Sequence, residues 1–398
     1  MILTLLLFCL QDASTPAQRW REDLATFQKE FTSRHIQPYA KLSEADFNAE
    51  LAAINPDKLS DQQIVLSLWK LMAKVGDSHS RVIEPPGRQF FTRYPLGIGY
   101  LTDGWYVVAI DSREKRHLRG KLTKVNLYPI KEVCTKLETL IAAENDSQRQ
   151  NQLPQLLTMP EALEFCGILE KAGPADFTIQ SPEGNETHVT LWPDSIRPAE
   201  ISPAIDWKSW PKHLQFNRAP YGHQHLDKEN ALYVWYDRCA NDPRKSVKDW
   251  TAEVVKLLDE KKPDKVIVDL RRNGGGNSSL LEPLIRELKD RAVNTRARLK
   301  VLIGPATFSS AMMNAQQFAT RTQAELVGQP TGGSPNHFGE VKRFQLPHSK
   351  CTVMYSTKKF VMTKDNATTV IPHRIITPTA KGFFADRDEA LEAALLPQ

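Results

Sequence analysis

Two stretches of this chain pass abruptly from a buried-strand pattern into small polar residues. Residues 266–270 and 301–303 are apolar apart from Asp269, and such runs are typical of parallel strands covered on both faces. The first run leads into Gly274–Gly276 and the second into Ser309 and Ser310, and a helical pattern follows each. The sequence therefore predicts two neighbouring loops at strand ends. Backbone amides beside a serine hydroxyl are the groups that acyl transfer uses.

Strand and helix patterns alternate through the rest of the C-terminal part. Strands are predicted at 231–236, 266–270, 299–303 and 324–328, and amphipathic helical patterns separate them. Strands that alternate with helices indicate βαβ units with a parallel sheet. We therefore predict an α/β core over residues 231–398.

The first part of the chain has a helical pattern. Apolar residues recur at helical spacing from Trp20 to Phe31, and again after Ser60, which has the character of an N-cap. The second of these patterns ends at Gly76. The sequence predicts a helical bundle over residues 17–90.

A β-rich module is predicted over residues 91–193. Short alternating runs, such as residues 105–110, indicate strands, and one helix is predicted near 130–143. Residues 194–230 are rich in Pro, His and Trp without a clear period. We interpret them as a linker that crosses the molecule or faces a substrate.

Length and charge narrow the class of protein. The chain has 398 residues, which exceeds the roughly 250–300 at which single cores stop growing, so two or three domains are expected. Its hydrophobic content of 41% and charged content of 25% exclude disorder of the whole chain. The net charge of +5 is spread without a basic block, so nucleic-acid binding is not expected.

Residues 2–10 are a candidate targeting signal. This apolar run is too short for a membrane span of about 20 residues but suits the core of an export signal, although no basic residue precedes it. We predict a signal segment over 1–16, no stable membrane span and an exported protein.

No metal or organic cofactor is predicted. Gly274–Gly276 lack the glycine spacing of nucleotide-binding loops, and His223 and His225 alternate without a partner carboxylate pattern. Four cysteines would remain after loss of the signal, in spacings that match no zinc or redox motif. Free thiols are expected, with one or two disulfides as the alternative in an exported protein; the four are Cys134, Cys166, Cys239 and Cys351.

A serine nucleophile needs a base, and the chain has ten histidines. His79 lies among small polar residues just after the helix end at Gly76, where an imidazole can act as a general base. His337, within the segment 332–340, is the second candidate. The histidines interpreted as surface residues are His35, His117, His188, His213, His348 and His373.

A set of segments in the C-terminal part is informative by its order along the chain: Asp269–Asn277, Thr307–Ala311, Val327–Gly333, Val370–Pro378 and Asp386–Leu391. Together they resemble the carboxyl-terminal processing (tail-specific) serine peptidases, and the resemblance covers roughly residues 18–395. Gly76–His79, at the end of the helical bundle, resembles the tricorn-core and interphotoreceptor-retinoid-binding-protein branch of that family.

The resemblance implies a crotonase-like α/β peptidase core and a degenerate PDZ-like module over 91–193. By motif position Ser309 is the nucleophile, and the amides of Gly275 or Gly276 together with Ser310 form the oxyanion hole. No cofactor is implied, and the implied partner is a protein or peptide substrate. The oligomeric state is left open.

The chain departs from the family pattern around the base. The lysine that serves as base in the tail-specific branch is replaced by Ser334, whereas Ser78 and His79 match the serine-histidine pair of the tricorn-like branch. The late carboxylate of that branch falls near Asn366, which leaves Glu340 or Asp365 as substitutes.

We therefore expect a serine endopeptidase in which His79 deprotonates Ser309, with activity rising through an ionisation in the ordinary histidine range. The alternatives are an esterase that uses the same serine, and a catalytically decayed protein of the same fold that binds peptides or apolar ligands.

Overall fold

The computed structural model describes residues 14–85, 87–194, 200–205 and 219–396. Residues 1–13 of the predicted signal segment, including Cys9, lie outside the described residues, and so does His213. Within the described ranges, no helix is both long and apolar enough to cross a membrane.

Three helices form the N-terminal region: α1 (Pro16–Arg34), α2 (Glu44–Ala52) and α3 (Asp61–Val75). The predicted boundaries of α3 are confirmed. The Ser60 side chain accepts a hydrogen bond from the Gln63 amide in a capping box, and Gly76 ends the helix with a left-handed φ of 70°. The chain leaves this helix end directly into residues 77–80, which carry the candidate base.

A three-stranded antiparallel sheet links this region to the C-terminal part of the chain. Its strands are β1 (Arg81–Ile83), β15 (Thr352–Val361) and β14 (Asn336–Gln345), in the order β1-β15-β14. Since β1 follows residues 77–80 immediately, its pairing with β15 brings the candidate base towards the C-terminal half.

The predicted β-rich module is an antiparallel sheet with helices. Its strands are β2 (Leu96–Leu101), β3 (Gly104–Asp111), β4 (Lys121–Val125), β5 (Tyr128–Pro129), β6 (Ala175–Gln180), β7 (Glu186–Leu191) and β8 (Ile201–Pro203). Where one helix was predicted there are three: α4 (Ile130–Glu138), α5 (Asp146–Leu157) and α6 (Pro160–Phe165). Helix α5 escaped prediction because it is rich in glutamine and contains Pro154.

The C-terminal sheet has the order β16-β13-β12-β11-β10-β9. Its strands are β9 (Tyr221–Leu226), β10 (Ala231–Tyr236), β11 (Lys265–Asp269), β12 (Leu299–Ile303), β13 (Glu325–Gly328) and β16 (Arg374–Ile375). All neighbours from β10 to β16 are parallel, as predicted, and β9 is an antiparallel edge strand. Strands β8 and β9 lie inside the segment interpreted as a linker, and β9 escaped prediction because its centre is polar.

Helices α7 (Val247–Lys261), α8 (Glu282–Lys289) and α9 (Ser310–Arg321) alternate with the central strands, and α10 (Ala380–Phe383) and α11 (Glu389–Leu395) follow near the C-terminus. One hydrophobic core contains residues of α1–α3, of the β-rich module and of β15. The boundary predicted at residue 90 therefore does not separate two cores. The four cysteines of the described residues are free thiols.

Candidate active site

Ser309 lies at the turn between β12 and α9 in an unusual backbone conformation. Its φ is 52° and its ψ is −127°, a region that costs a non-glycine residue roughly 1–3 kcal/mol and persists only where the surroundings enforce it. A strained serine between a strand and a helix is how hydrolases expose a nucleophilic hydroxyl. The position predicted from the two sequence patterns therefore has the backbone of a nucleophile turn.

Glycines make room for this turn. A Cβ atom on Gly275 would lie 2.7 Å from the Ser309 Cβ, and one on Gly333 would lie 3.0 Å from the Ser309 amide nitrogen. The two glycine-rich segments of the sequence thus pack directly against the serine, because only a residue without a side chain fits there.

The amides near Ser309 are not equivalent. The Gly275 amide donates to Asn273 Oδ1 at 2.9 Å and is therefore engaged. The amides of Gly276 and Ser310 have no acceptor within the described part of the chain. The Ser310 hydroxyl donates to the Gly276 carbonyl at 2.6 Å and holds the loop against α9. Gly276 and Ser310 are thus better placed as oxyanion donors than Gly275.

His79 is buried beside the nucleophile turn. Its ring stacks on Phe308, the residue before Ser309, with centroids 4.5 Å apart, and on His337 at 5.3 Å. Its Nε2 is buried without a hydrogen-bond partner among the described residues. Its Nδ1 lies 3.4 Å from the Ser78 hydroxyl. One ring nitrogen is thus supported and the other is free, as a general base requires.

The surroundings of His79 keep its imidazole neutral. Burial lowers the pKa of His79 to about 4, against the opposing effect of the Asp77 carboxylate. The expectation of a titration in the ordinary histidine range is therefore corrected: near neutral pH the ring is almost entirely in the form that accepts a proton.

Asp77 is the charged group that faces His79, and it was not singled out from the sequence. Its Oδ1 lies 4.0 Å from His79 Nδ1 and accepts the His79 amide at 2.9 Å. Burial opposes ionisation of Asp77, but hydrogen bonds with His35 and Ser80 outweigh it and hold its pKa at about 2. Asp77 is thus a carboxylate next to a neutral histidine, and the signal for it was its place two residues before His79.

The interpretation of His35 as a surface residue is wrong. The side chain is fully buried, with Nε2 2.9 Å from Asp77 Oδ2 and the ring packed against Phe31 and Phe338. His117 is also buried, against Thr187. The polar sequence around each of these two histidines was misleading, because the residues that bury them come from distant segments of the chain.

Glu144, which follows α4, completes a group with Asp77 and His79. One ligand atom from each lies within 4.8 Å of the others, so the three side chains are a candidate cation site. Asp77, however, already accepts hydrogen bonds at both oxygens. Burial raises the pKa of Glu144 to about 7, with a smaller opposing effect of the Ser78 hydroxyl. These three side chains are therefore better suited to controlling the protonation of His79 than to binding a cation.

The predicted supporting carboxylates lie elsewhere. Glu340 is exposed in β14 with φ 55°, and its carbonyl accepts a hydrogen bond from Thr357. No hydrogen bond or ion pair joins Glu340 to His79 in the described residues, and Asp365 is exposed. The carboxylates that lie beside His79 are those of Asp77 and Glu144.

A cavity of about 380 Å³ lies between the β-rich module and the C-terminal sheet. Strand β2 and helix α5 line one side, with Tyr100 and Trp105 packed edge to face. The loop 304–306, which leads to Ser309, lines the other side. Ser309 and His79 are not among the residues that line the cavity, but Ser309 lies three residues after this loop.

No family model matches the sequence, and no curated protein matches it. Solved structures do match the fold. The crystal structure of a serine-to-alanine mutant of CPAF aligns with a TM-score of 0.67 at 12% identity, over 96% of this chain and 98% of that chain.

Mature CPAF aligns with a TM-score of 0.66, over 94% of this chain and 96% of that chain. Its complex with lactacystin aligns with a TM-score of 0.65, over 94% and 97%, and both are 13% identical to this chain. The chain has the CPAF fold.

The photosystem II D1 C-terminal processing protease also aligns, over 95% of this chain and 99% of that chain, at 13% identity and a TM-score of 0.41.

Proposed function

We propose that this protein is a serine peptidase in which Ser309 is the nucleophile and His79 the base. The observation that carries the proposal is the juxtaposition of the strained Ser309 turn with the buried His79, which stacks on Phe308 and has an unpartnered Nε2. No hydrogen bond joins the two side chains in the described residues. Catalytic hydrogen bonds often form only when substrate is bound.

The reaction follows from these positions. His79 Nε2 takes the proton of the Ser309 hydroxyl as the oxygen attacks the peptide carbonyl. The amides of Gly276 and Ser310 stabilise the oxyanion, with a contribution of roughly 3–4 kcal/mol for a well-placed donor. His79 then gives the proton to the departing amine, and water hydrolyses the acyl-enzyme by the same steps in reverse. Asp77 stabilises the imidazolium that forms in between, and Ser78 restrains Nδ1.

Other parts of the molecule take supporting roles in this proposal. Residues 231–396 form the crotonase-like peptidase core and the β2–β7 region is the PDZ-like module, which supplies one wall of the cavity. The substrate is a protein or peptide, no cofactor takes part, and the protein is exported by its N-terminal segment.

A fluorophosphonate probe with mass-spectrometric mapping tests the nucleophile. The wild type is expected to be labelled at Ser309, and Ser309→Ala is expected to lose labelling while keeping its fold. Ser310→Ala keeps the nucleophile and is expected to label, more slowly because the Gly276 loop loses its anchor. If Ser309→Ala were labelled and Ser310→Ala were not, the nucleophile would be Ser310. Comparison of peptide and ester turnover then separates a peptidase from an esterase.

A second candidate function is binding of peptides or apolar ligands by a catalytically inactive protein. The cavity favours it, because Tyr100, Trp105 and Phe383 give it an apolar lining. An inert wild type towards the probe and towards peptides, together with saturable binding of an apolar fluorophore lost in Trp105→Ala, would establish this function instead.

A further inference from the structure

Strand β14 has one edge that no described strand covers. It is the last strand of its sheet and pairs on one side only, with β15. An uncovered edge of ten residues is a template for pairing with another chain, and proteins normally shorten or cover such edges. This edge therefore calls for an explanation.

The groups that point outward follow from the register. Leu346 and Cys351 are directly opposite and hydrogen-bonded. In an antiparallel pair, bonded and non-bonded positions alternate, so the residues of β14 whose amide and carbonyl face away from β15 are every second one. These residues are His337, Gly339, Val341, Arg343 and Gln345. None of their backbone groups has a partner within the described residues.

The edge begins at the candidate active site. His337, its first outward-facing residue, stacks on His79 at 5.3 Å. Gly333, four residues earlier, packs against the Ser309 amide. Residues 337–339 are buried, whereas residues 340–345 are mostly exposed. A strand paired with this exposed part of β14, at the usual spacing of about 4.8 Å, would thus lead towards the two histidines and the serine.

The hairpin of β14 and β15 is positively charged. Residues 336–361 contain one acidic residue, Glu340, and five basic ones. Four of the basic side chains are on the strands and form no ion pair within the described chain; they are Lys342, Arg343, Lys358 and Lys359. Lys358 lies over the Phe360 ring at 4.7 Å, on the same face as His337. Unneutralised cations beside an open edge favour an acidic chain.

We propose that β14 binds the substrate as an added strand and selects extended, acidic polypeptide segments, an inference that rests on the peptidase function proposed above. Backbone hydrogen bonds to β14 supply affinity independent of sequence, as in other cases of strand addition. The lysines and Arg343 supply the preference for Asp and Glu near the cleaved bond.

The charge preference is tested with a proteome-derived peptide library and mass-spectrometric identification of the new ends. The wild type is expected to enrich Asp and Glu within five residues of its cleavage sites at least about threefold over the library, the more so at low salt. The double variant Arg343→Glu/Lys358→Glu is expected to lose or invert this enrichment. An acidic preference that survives in the double variant would overturn the proposal, as would a wild type without one.

Strand addition is tested at a single position with the best library peptide. Arg343→Ala removes the charge but keeps the outward amide, whereas Arg343→Pro removes both; proline is tolerated where the amide faces solvent. We expect Arg343→Pro to have a kcat/KM about fivefold or more below that of Arg343→Ala, the loss of about one hydrogen bond. Equal values for the two variants would overturn strand addition.

Two controls keep the outcomes apart. The rate of fluorophosphonate labelling, which needs no edge, is expected to be equal in all these variants and reports that each is folded. Absence of labelling in the wild type would instead refute the peptidase function itself. Concentration-dependent dimers that disappear in Arg343→Pro would mean that a second copy of this chain occupies the edge, which also overturns the proposal.

Discussion

The two sides of the candidate site are built in different ways. The nucleophile side consists of two consecutive strand-to-loop turns of one parallel sheet, Asn273–Gly276 and Gly304–Ser309. The base side gathers His35, Glu144 and His337 from three distant segments around Asp77 and His79. The proposed nucleophile side is thus encoded by two short sequence segments, whereas the properties of the base come from packing between distant regions.

The largest effect is expected from removal of the base. His79→Ala should lower kcat/KM for peptides by about 10³-fold or more, within the range that general bases contribute. His337→Ala is the matched control, since it removes a buried, stacked imidazole whose ring lies 5.3 Å from that of His79, and we expect a reduction of less than about 30-fold. Steady-state kinetics check both. An inactive His337→Ala beside an active His79→Ala would assign the base to the segment 332–340.

The accuracy of the sequence-based predictions also differs between the nucleophile side and the base side. Strands β10 and β12 were predicted to the residue, because buried parallel strands are nearly continuous apolar runs, which Lys300 interrupts only once in β12. Ser309, the proposed nucleophile, was singled out because its strand-to-helix turn is a local sequence pattern. Helix α5 was missed, since a polar helix with an internal proline has a weak apolar period.

Long-range partners set the limit. His35 was interpreted as exposed because nothing near it in sequence reveals that α1 ends against Asp77. For the same reason Glu340 was expected to support His79, and Asp77 was passed over although it lies two residues away. The depressed pKa of His79 is likewise a consequence of burial that no spacing of residues records.

A glycine pair tests the nucleophile side. Gly276 has φ 136°, and a Cβ there would lie 2.2 Å from the Cys239 carbonyl oxygen, whereas a Cβ on Gly274 would have no neighbour within 4 Å. Gly276→Ala should therefore lower turnover by about 100-fold through displacement of an oxyanion donor, and stability by about 1–3 kcal/mol. Gly274→Ala should change stability by less than about 0.5 kcal/mol and leave turnover unchanged. Equal behaviour of the two variants in urea unfolding and kinetics would reduce the loop to an ordinary turn.

The pH profile tests the base side. Because the pKa of His79 is lowered to about 4, kcat/KM of the wild type should stay on its plateau well below pH 6.5, the ordinary histidine value, and fall only as the pH approaches 4. Asp77 favours the imidazolium, so in Asp77→Asn the lower limb should move to still lower pH while kcat falls about 10- to 100-fold, less than in triads with a direct carboxylate bond. A midpoint near pH 6.5 in the kcat/KM profile of the wild type would mean that the His79 side chain is accessible to water. Thermal unfolding of the variant guards against loss of the Asp77 hydrogen bonds as the cause.

The smallest effect is one of stability, and it concerns Glu144. Burial raises its folded-state pKa to about 7, whereas an unfolded glutamate titrates near 4.3. Below pH 4 the Glu144 carboxyl is protonated in both the folded and the unfolded state, so it does not lower the free energy of unfolding. As the pH rises from about 4 to about 7, Glu144 ionises first in the unfolded chain. The wild type therefore loses stability, and the loss should reach on the order of 3 kcal/mol above pH 7.

Glu144→Gln cannot ionise, and its advantage in free energy of unfolding over the wild type should therefore grow between pH 5 and pH 8 in urea titrations. Glu340→Gln removes an exposed carboxyl as the matched control and should track the wild type across the same range. A difference between Glu144→Gln and wild type that does not change with pH would show that Glu144 is already ionised in the folded protein, held by a cation or a donor, and the base side would then carry a full negative charge on each side of His79.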